Sequence, residues 1–269
     1  MAPETRVSGL RLSERLTAIA SMVNADPAAG KGCAYCLCDV GTDHAHIPIR
    51  LLLDGRIDSS IAMDVIEGPL EKARQNIELY GMSDKICLRL SDGLDAYAPG
   101  EATGLVIAGM GGRIMSRILL REPDKTRDFG EIILQPQADP EFVRRAVREL
   151  GLYIDRERVV LEDNKYYPVI HVVHEPQKGP DWKHTEETAS DCDEALYLQA
   201  EDLFGPVLIR ERDDMLRSYL LWQKGVNDRI MYSLSRANDS ESSAIKEKKS
   251  QILLKERLIV TALSYIGQN

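Results

Sequence analysis

Carboxylates and glycines gather at four points along the chain, each directly behind a short apolar run. The first is Cys38-Asp-Val-Gly-Thr-Asp-His-Ala-His46. Gly41 lets the backbone pass close to a ligand, and Asp39 and Asp43, with Thr42 between them, supply acceptors. A dinucleotide site would want G-x-G-x-x-G here, to seat a pyrophosphate on a helix N-terminus. One glycine and two acids suit instead a cationic ligand without phosphates, as in the ammonium and sulfonium of S-adenosylmethionine. Asp64 ends the second run, where an acid accepts from both ribose hydroxyls. Ser91-Asp92-Gly93 follows the third, with a carboxylate for an adenine amino group. Each acid alone fits an ordinary turn, but their order at successive strand ends favours a ligand. The fourth point is Ala108-Gly-Met-Gly-Gly112. Gly109, Gly111 and Gly112 imply positive φ or a close backbone approach, and the open side around Met110 admits a substrate base. A purely structural tight turn is the alternative.

These residues need a scaffold that brings strand ends together. Leu10, Leu12, Leu16, Ile19, Ala20 and Val23 lie near helical spacing and predict an opening helix over 9–24. Short apolar runs then alternate with helical patterns. Strands are expected at 34–40, 60–65, 86–90, 104–109 and 132–135. Helices are expected near 43–53, over 67–80, behind the fourth strand to about 120, and over 139–150. Such alternation is that of an α/β fold, a doubly wound parallel sheet covered on both faces. Runs at 153–162 and 167–174 flank the turn-like Glu162-Asp-Asn-Lys165 and read as a hairpin, hence an antiparallel edge. Pro168 weakens the start of the second run. Beyond an acidic stretch, 207–236 and 242–266 read as two long helices joined at Ala237-Asn-Asp-Ser240. Ile245, Ile252, Ile259 and Ile266 recur every seven residues with Leu263 beside them, and Leu216, Tyr219, Val226, Ile230 and Leu234 approximate a complementary stripe. A coiled-coil-like hairpin is expected. The domains expected are 1–176, binding the cofactor, and 177–269, helical with an acidic connector.

Hydrophobic residues at 43% and charged residues at 29% fit a soluble globular chain. The opening residues do not read as a secretory signal, and no apolar run approaches the roughly 20 residues a membrane span needs. A cytoplasmic protein with reduced thiols is expected. The net charge of −9 argues against nucleic acid. Seven acids with no Lys or Arg between His184 and Ile209 carry most of it, however, and the remainder is nearly neutral. His44, His46 and the Cys33-x-x-Cys36-x-Cys38 cluster lack the spacing of a metal site, so no metal is expected.

Taken together, these motifs resemble the bacterial tRNA (adenine-22-N1)-methyltransferase family, TrmK. Its L-x-L-S-x-R-L is matched by Leu10, Leu12, Ser13, Arg15 and Leu16. Its D-[IV]-G-[ST]-D-H-A is matched by Asp39 through Ala45, its I-A-G-M-G-G by Ile107 through Gly112, and its I-L-Q-P by Ile133 through Pro136. The likeness covers most of 9–175 and continues more loosely through Phe204-Gly-Pro206. The acidic 185–202 segment departs from the pattern. The resemblance implies a class I methyltransferase-like (Rossmann-like) fold, S-adenosyl-L-methionine as donor, adenine N1 of tRNA as acceptor, and a C-terminal coiled coil that helps hold the tRNA. It places donor contacts at Asp39, Gly41, Asp43, His44, Asp64, Asp92, Gly93, Ala108 and Gly109.

Adenine N1 carries its own lone pair, so positioning supplies most of the acceleration. A carboxylate offsets the cationic product or accepts an N6 proton, and Asp43 is the candidate. The backbone from Ala108 through Gly109, Met110 and Gly111 to Gly112 positions the base edge. The base must leave its stack, so an aromatic partner is expected, with Tyr166 and Tyr167 as candidates. Arg11, Arg15, Arg113 and Arg117 are candidate phosphate contacts. The chain is expected to act as a monomer, a weak dimer being the alternative. A methyltransferase acting on a small molecule or protein, and a non-catalytic interaction protein working through its coiled coil, are the competing readings.

Overall fold

The computed structural model describes residues 9–24, 34–175, 191–236 and 242–267. Cys33, the Ala237–Ser240 turn and the first acids of the 185–202 stretch lie outside the described residues. The chain divides into two compact units, Met1–Gln177 and Lys178–Asn269.

Helix α1 (Glu14–Met22) opens the first unit, its first turn capped by the Ser13 hydroxyl, which accepts from the Leu16 N–H. That cap starts the helix later than the apolar spacing suggests. There follow β1 (Cys36–Val40), α2 (His46–Leu53), β2 (Ser59–Asp64), α3 (Glu67–Leu79), β3 (Ile86–Leu90) and β4 (Gly104–Gly111). Then come α4 (Gly112–Arg121), α5 (Pro123–Asp128), β5 (Glu131–Ala138), α6 (Pro140–Glu149), β6 (Tyr153–Glu162) and β7 (Lys165–Val173). The strands form one sheet in the order β3-β2-β1-β4-β5-β7-β6. The first five are parallel, and β7 runs antiparallel to both β5 and β6. Pro168 is tolerated inside β7 because β5 pairs with β7 only as far as Ile170.

The period of two along each central strand splits the core. Leu37, Ala62, Val106 and Ile133 pack with α1, α2 and α3. Cys38, Ile61, Leu105, Ile107, Ile132 and Leu134 pack with α4 and α6. Order along the sheet reverses between β1 and β4, the switch point at which open α/β sheets bind ligands outside their carboxyl ends. The opposite end is clamped. The buried His171 bonds Glu131 at 2.7 Å and Asp155 from its other nitrogen, and Glu131 also accepts from the Tyr35 hydroxyl at 2.5 Å and the Asn24 N–H at 2.9 Å.

The second unit differs in detail from the expectation. Residues 191–204, read as part of an acidic connector, form helix α7 (Asp191–Phe204), because Tyr197, Ala200 and Phe204 recur at helical spacing and are buried. The expected 207–236 helix is two, α8 (Pro206–Arg210) and α9 (Asp214–Ser235). Between them Arg212 is left-handed at φ 56°, and Asp213 Oδ1 caps the Leu216 N–H at 2.7 Å. Helix α10 (Ser243–Ile266) packs against both α7 and α9, so the hairpin gains a third helix. The stripe on α10 buries Ile252, Ile259 and Ile266. That on α9 is rotated, burying Leu216, Leu220 and Asn227 and leaving Ile230 exposed.

Candidate active site

The strand ends around the switch point line a cleft of about 380 Å³, within the roughly 300–1,000 Å³ usual for small-molecule sites. Its walls come from α1 (Arg15, Leu16), the β1–α2 loop, Asp64 at the end of β2 and Ile66 behind it, Ala108 through Met110 on β4, and Gln137 on β5.

The β1–α2 loop is held tightly. Gly41 and Thr42 both donate their N–H to the Met63 carbonyl, at 2.8 and 3.0 Å, which ties the loop to the end of β2. Gly41 has φ 75°, a backbone conformation that favours glycine, and a Cβ there would stand 2.2 Å from the Met110 Cε, so any side chain would have to displace the Met110 thioether. Asp43 and Ala45 are also left-handed, at φ 49° and 56°. Ala45 offers α2 no side-chain cap, so the first amides of that helix face the loop without an internal acceptor.

Asp39 is 3% exposed, and burial pushes its carboxyl up to about 7. The Thr42 hydroxyl, donating at 2.7 Å, works against that rise, and the Asp64 charge adds to it. Asp64 accepts the Ile66 N–H at 3.0 Å, while Asp43 is largely exposed, 3.6 Å from the His44 Nε2. His44 and His46 stack with ring centres 5.2 Å apart, and burial, then the neighbouring His44, lowers the His46 pKa.

Arg15 enters the cleft, although its place on an amphipathic helix suggested an outward phosphate contact. Its Nε bonds Glu162 at 3.2 Å, its NH1 bonds Gln135 at 2.9 Å, and its guanidinium lies 5.2 Å from the centre of the Tyr167 ring. Tyr167 therefore supports an arginine rather than lining the cleft. Gln135 is fully buried, and its Oε1 also accepts the Gly109 N–H at 3.3 Å, linking α1 to the glycine turn. Gln135, Gln137 and Glu162 escaped sequence reasoning, though the I-L-Q-P run contained one of them.

Asp39, Gly41, Thr42, Asp43, His44, Asp64, Ala108, Gly109 and Met110 come together in the cleft; Asp92, Gly93 and Gly111 stand outside its lining. The Asp92 carboxylate is taken by Arg121 NH1 at 2.8 Å, whose bond draws its pKa down. Gly93 packs against Ile118 of α4. Arg113 pairs with Asp139 at 3.0 Å and lies 3.9 Å from the Phe142 ring centre, and Arg11 is exposed. Among the described residues no three His, Cys, Asp or Glu side chains gather as metal ligands, and no helix is long and apolar enough to cross a membrane.

A doubly wound sheet with acids at its first strand ends, a single-glycine loop and a glycine turn across the switch point is the architecture of a class I methyltransferase. The family model described as a methyltransferase domain matches residues 12–170, more than half of the chain, and the chain belongs to that family. It is 28% identical over 243 residues to the tRNA (adenine(22)-N(1))-methyltransferase of Bacillus subtilis, covering 89% of this chain and 92% of that one. The crystal structure of the B. subtilis M1A22 tRNA methyltransferase TrmK superposes with a TM-score of 0.73 at 27% identity, covering 94% and 99% of the two chains. A Streptococcus pneumoniae putative tRNA (m1A22) methyltransferase, solved in complex with S-adenosyl-L-methionine, gives 0.71 at 29% identity, over 94% and 100%.

Proposed function

We propose that the protein methylates N1 of adenine 22 in tRNA with S-adenosyl-L-methionine as donor. The observation that carries this reading is the near full-length likeness to the B. subtilis enzyme, which extends through the helical unit as well as the cofactor domain. The cleft suits the donor. Asp39 and Asp43 are placed for an ammonium, Arg15 and the uncapped start of α2 for a carboxylate, and Asp64 for ribose hydroxyls. Arg15 is thereby reassigned from the RNA to the donor's amino-acid end. Asp92 and Gly93 serve the adenine side, through a turn that Arg121 holds in place.

When bound, the donor supplies an electrophilic methyl group on a sulfonium. The chain's own residues hold the acceptor. The Ala108–Gly111 backbone, fixed by Gln135, presents an unhindered edge to the base, with Met110 as its apolar floor. Asp43, exposed at the rim, offsets the positive charge that the base acquires. Preorganised position and charge are enough here, because adenine N1 needs no deprotonation to react. The division of labour follows the two units, with 1–176 for the donor and 177–269 gripping tRNA, in the cytoplasm.

The test is methyl transfer from labelled donor to unmodified tRNA, with nucleotide mapping, donor affinity measured in parallel, and Asp43→Ala as control. Label at N1 of a single adenine, lost in the control even at donor concentrations that saturate it, is the expected result. Donor binding without transfer to any tRNA overturns the reading in favour of a small-molecule or protein acceptor.

A further inference from the structure

We propose that Gln137 is the residue that identifies the acceptor base, by bonding the N6 amino group and N7 of adenine. This assignment rests on the tRNA-methylating function proposed above and names the group that selects its base.

The pairing of β4 with β5 breaks at this residue. Ala108 pairs with Gln135, Met110 with Pro136 and Gly111 with Ala138, so the ladder passes over Gly109 on one strand and Gln137 on the other. Such irregularities re-aim a side chain where a regular strand would leave it in the ladder. Here Gln137 is turned into the cleft wall, with its Nε2 3.7 Å from the point where a Cβ on Gly109 would lie.

Its amide contrasts with that of Gln135. Gln135 is fully buried, and both ends of its amide are engaged, with Arg15, Gly109 and Pro136. Gln137 is exposed, and its amide makes no hydrogen bond with any described residue. A fully engaged glutamine thus fixes the glycine turn, and an unengaged one stands beside the same turn at the open side of the site.

A primary amide holds a donor and an acceptor side by side. Adenine offers the matching pair on its N7 edge, where N6–H donates and N7 accepts. Reading that edge leaves N1 free, as methylation at N1 requires. Contacts that used N1 itself would block the reaction. Guanine presents two acceptors, O6 and N7, on the same edge, so one half of the amide goes unmatched.

The test uses tRNA with either adenine or 7-deazaadenine at the target position, assembled by ligation, with wild-type protein and Gln137→Ala. Loss of N7 lowers wild-type kcat/KM roughly 3- to 10-fold, the scale of one hydrogen bond. Gln137→Ala lowers kcat/KM on ordinary tRNA roughly 5- to 100-fold. It leaves donor affinity unchanged and becomes indifferent to N7. A variant as sensitive to N7 as the wild type, or one with weakened donor binding, overturns the assignment alone. A wild-type protein that transfers no methyl to any tRNA overturns the functional reading, and this assignment with it.

Discussion

Asp39 shows how a single buried carboxylate couples fold and ligand. Burial raises its pKa from the ordinary 3.8 to about 7, so near neutrality it is poised between its two forms. Between those values the folded state holds a proton that the unfolded state has released. Its contribution to stability is therefore complete below 3.8 and is lost as pH rises towards 7. A cationic ligand needs the ionised form, and below pH 7 binding must first expel the proton. Donor affinity is expected to rise roughly 5- to 10-fold from pH 6 to 7.5. Asp39→Asn, measured by calorimetry over the same range, is expected to bind more weakly with a flat profile. A wild-type profile equally flat would remove Asp39 from the ammonium site. This residue and Asp64 were legible in the sequence, because each stands at the end of an apolar run and its residue type states its chemistry. The cleft-facing Arg15 was not, since its direction is set by Glu162, 147 positions away, and no local pattern records that pairing.

At the scale of elements, the glycine turn sets the approach of two helices. Gly112 begins α4, and a Cβ there would lie 2.0 Å from the Asp139 carbonyl oxygen at the start of α6. The obstacle is backbone, which cannot swing aside as the Met110 side chain could at Gly41. Gly112→Ala is expected to cost about 1–3 kcal/mol through forced separation of α4 from the β5–α6 connection. The readout is a lower urea midpoint with an unchanged slope. An unchanged midpoint would show that these helices are not in close register. The alternation of strands and helices in the first unit was readable because period two and period 3.6 differ plainly in apolar sequence. Helix α7 was not. Its acids mask Tyr197, Ala200 and Phe204, and its buried face is narrow. The break at Arg212 was signalled only by Asp213, an N-cap type directly before an apolar run, which the continuous spacing on either side obscured.

Taken whole, the molecule separates its charges. Helix α7 carries five acids and no Lys or Arg, whereas α9 and α10 together carry eight Lys or Arg against four Asp or Glu. A net charge of −9 is thus compatible with a basic helical pair able to meet phosphates. The first unit is self-contained by comparison. Both of its core clusters lie within residues 10–172, and every residue lining the cleft belongs to it. Residues 1–177 alone are therefore expected to fold and to bind the donor with the affinity of the full chain. If the helices grip tRNA, the truncated chain loses the gain from joining two binding surfaces, and kcat/KM for tRNA falls on the order of 100-fold. Calorimetry with the donor and transfer assays with tRNA, run on both lengths at one salt concentration, decide the matter. Equal activity at both lengths would take the helices out of substrate binding. Lost donor affinity would instead show that the first unit depends on the second to keep its cleft in shape.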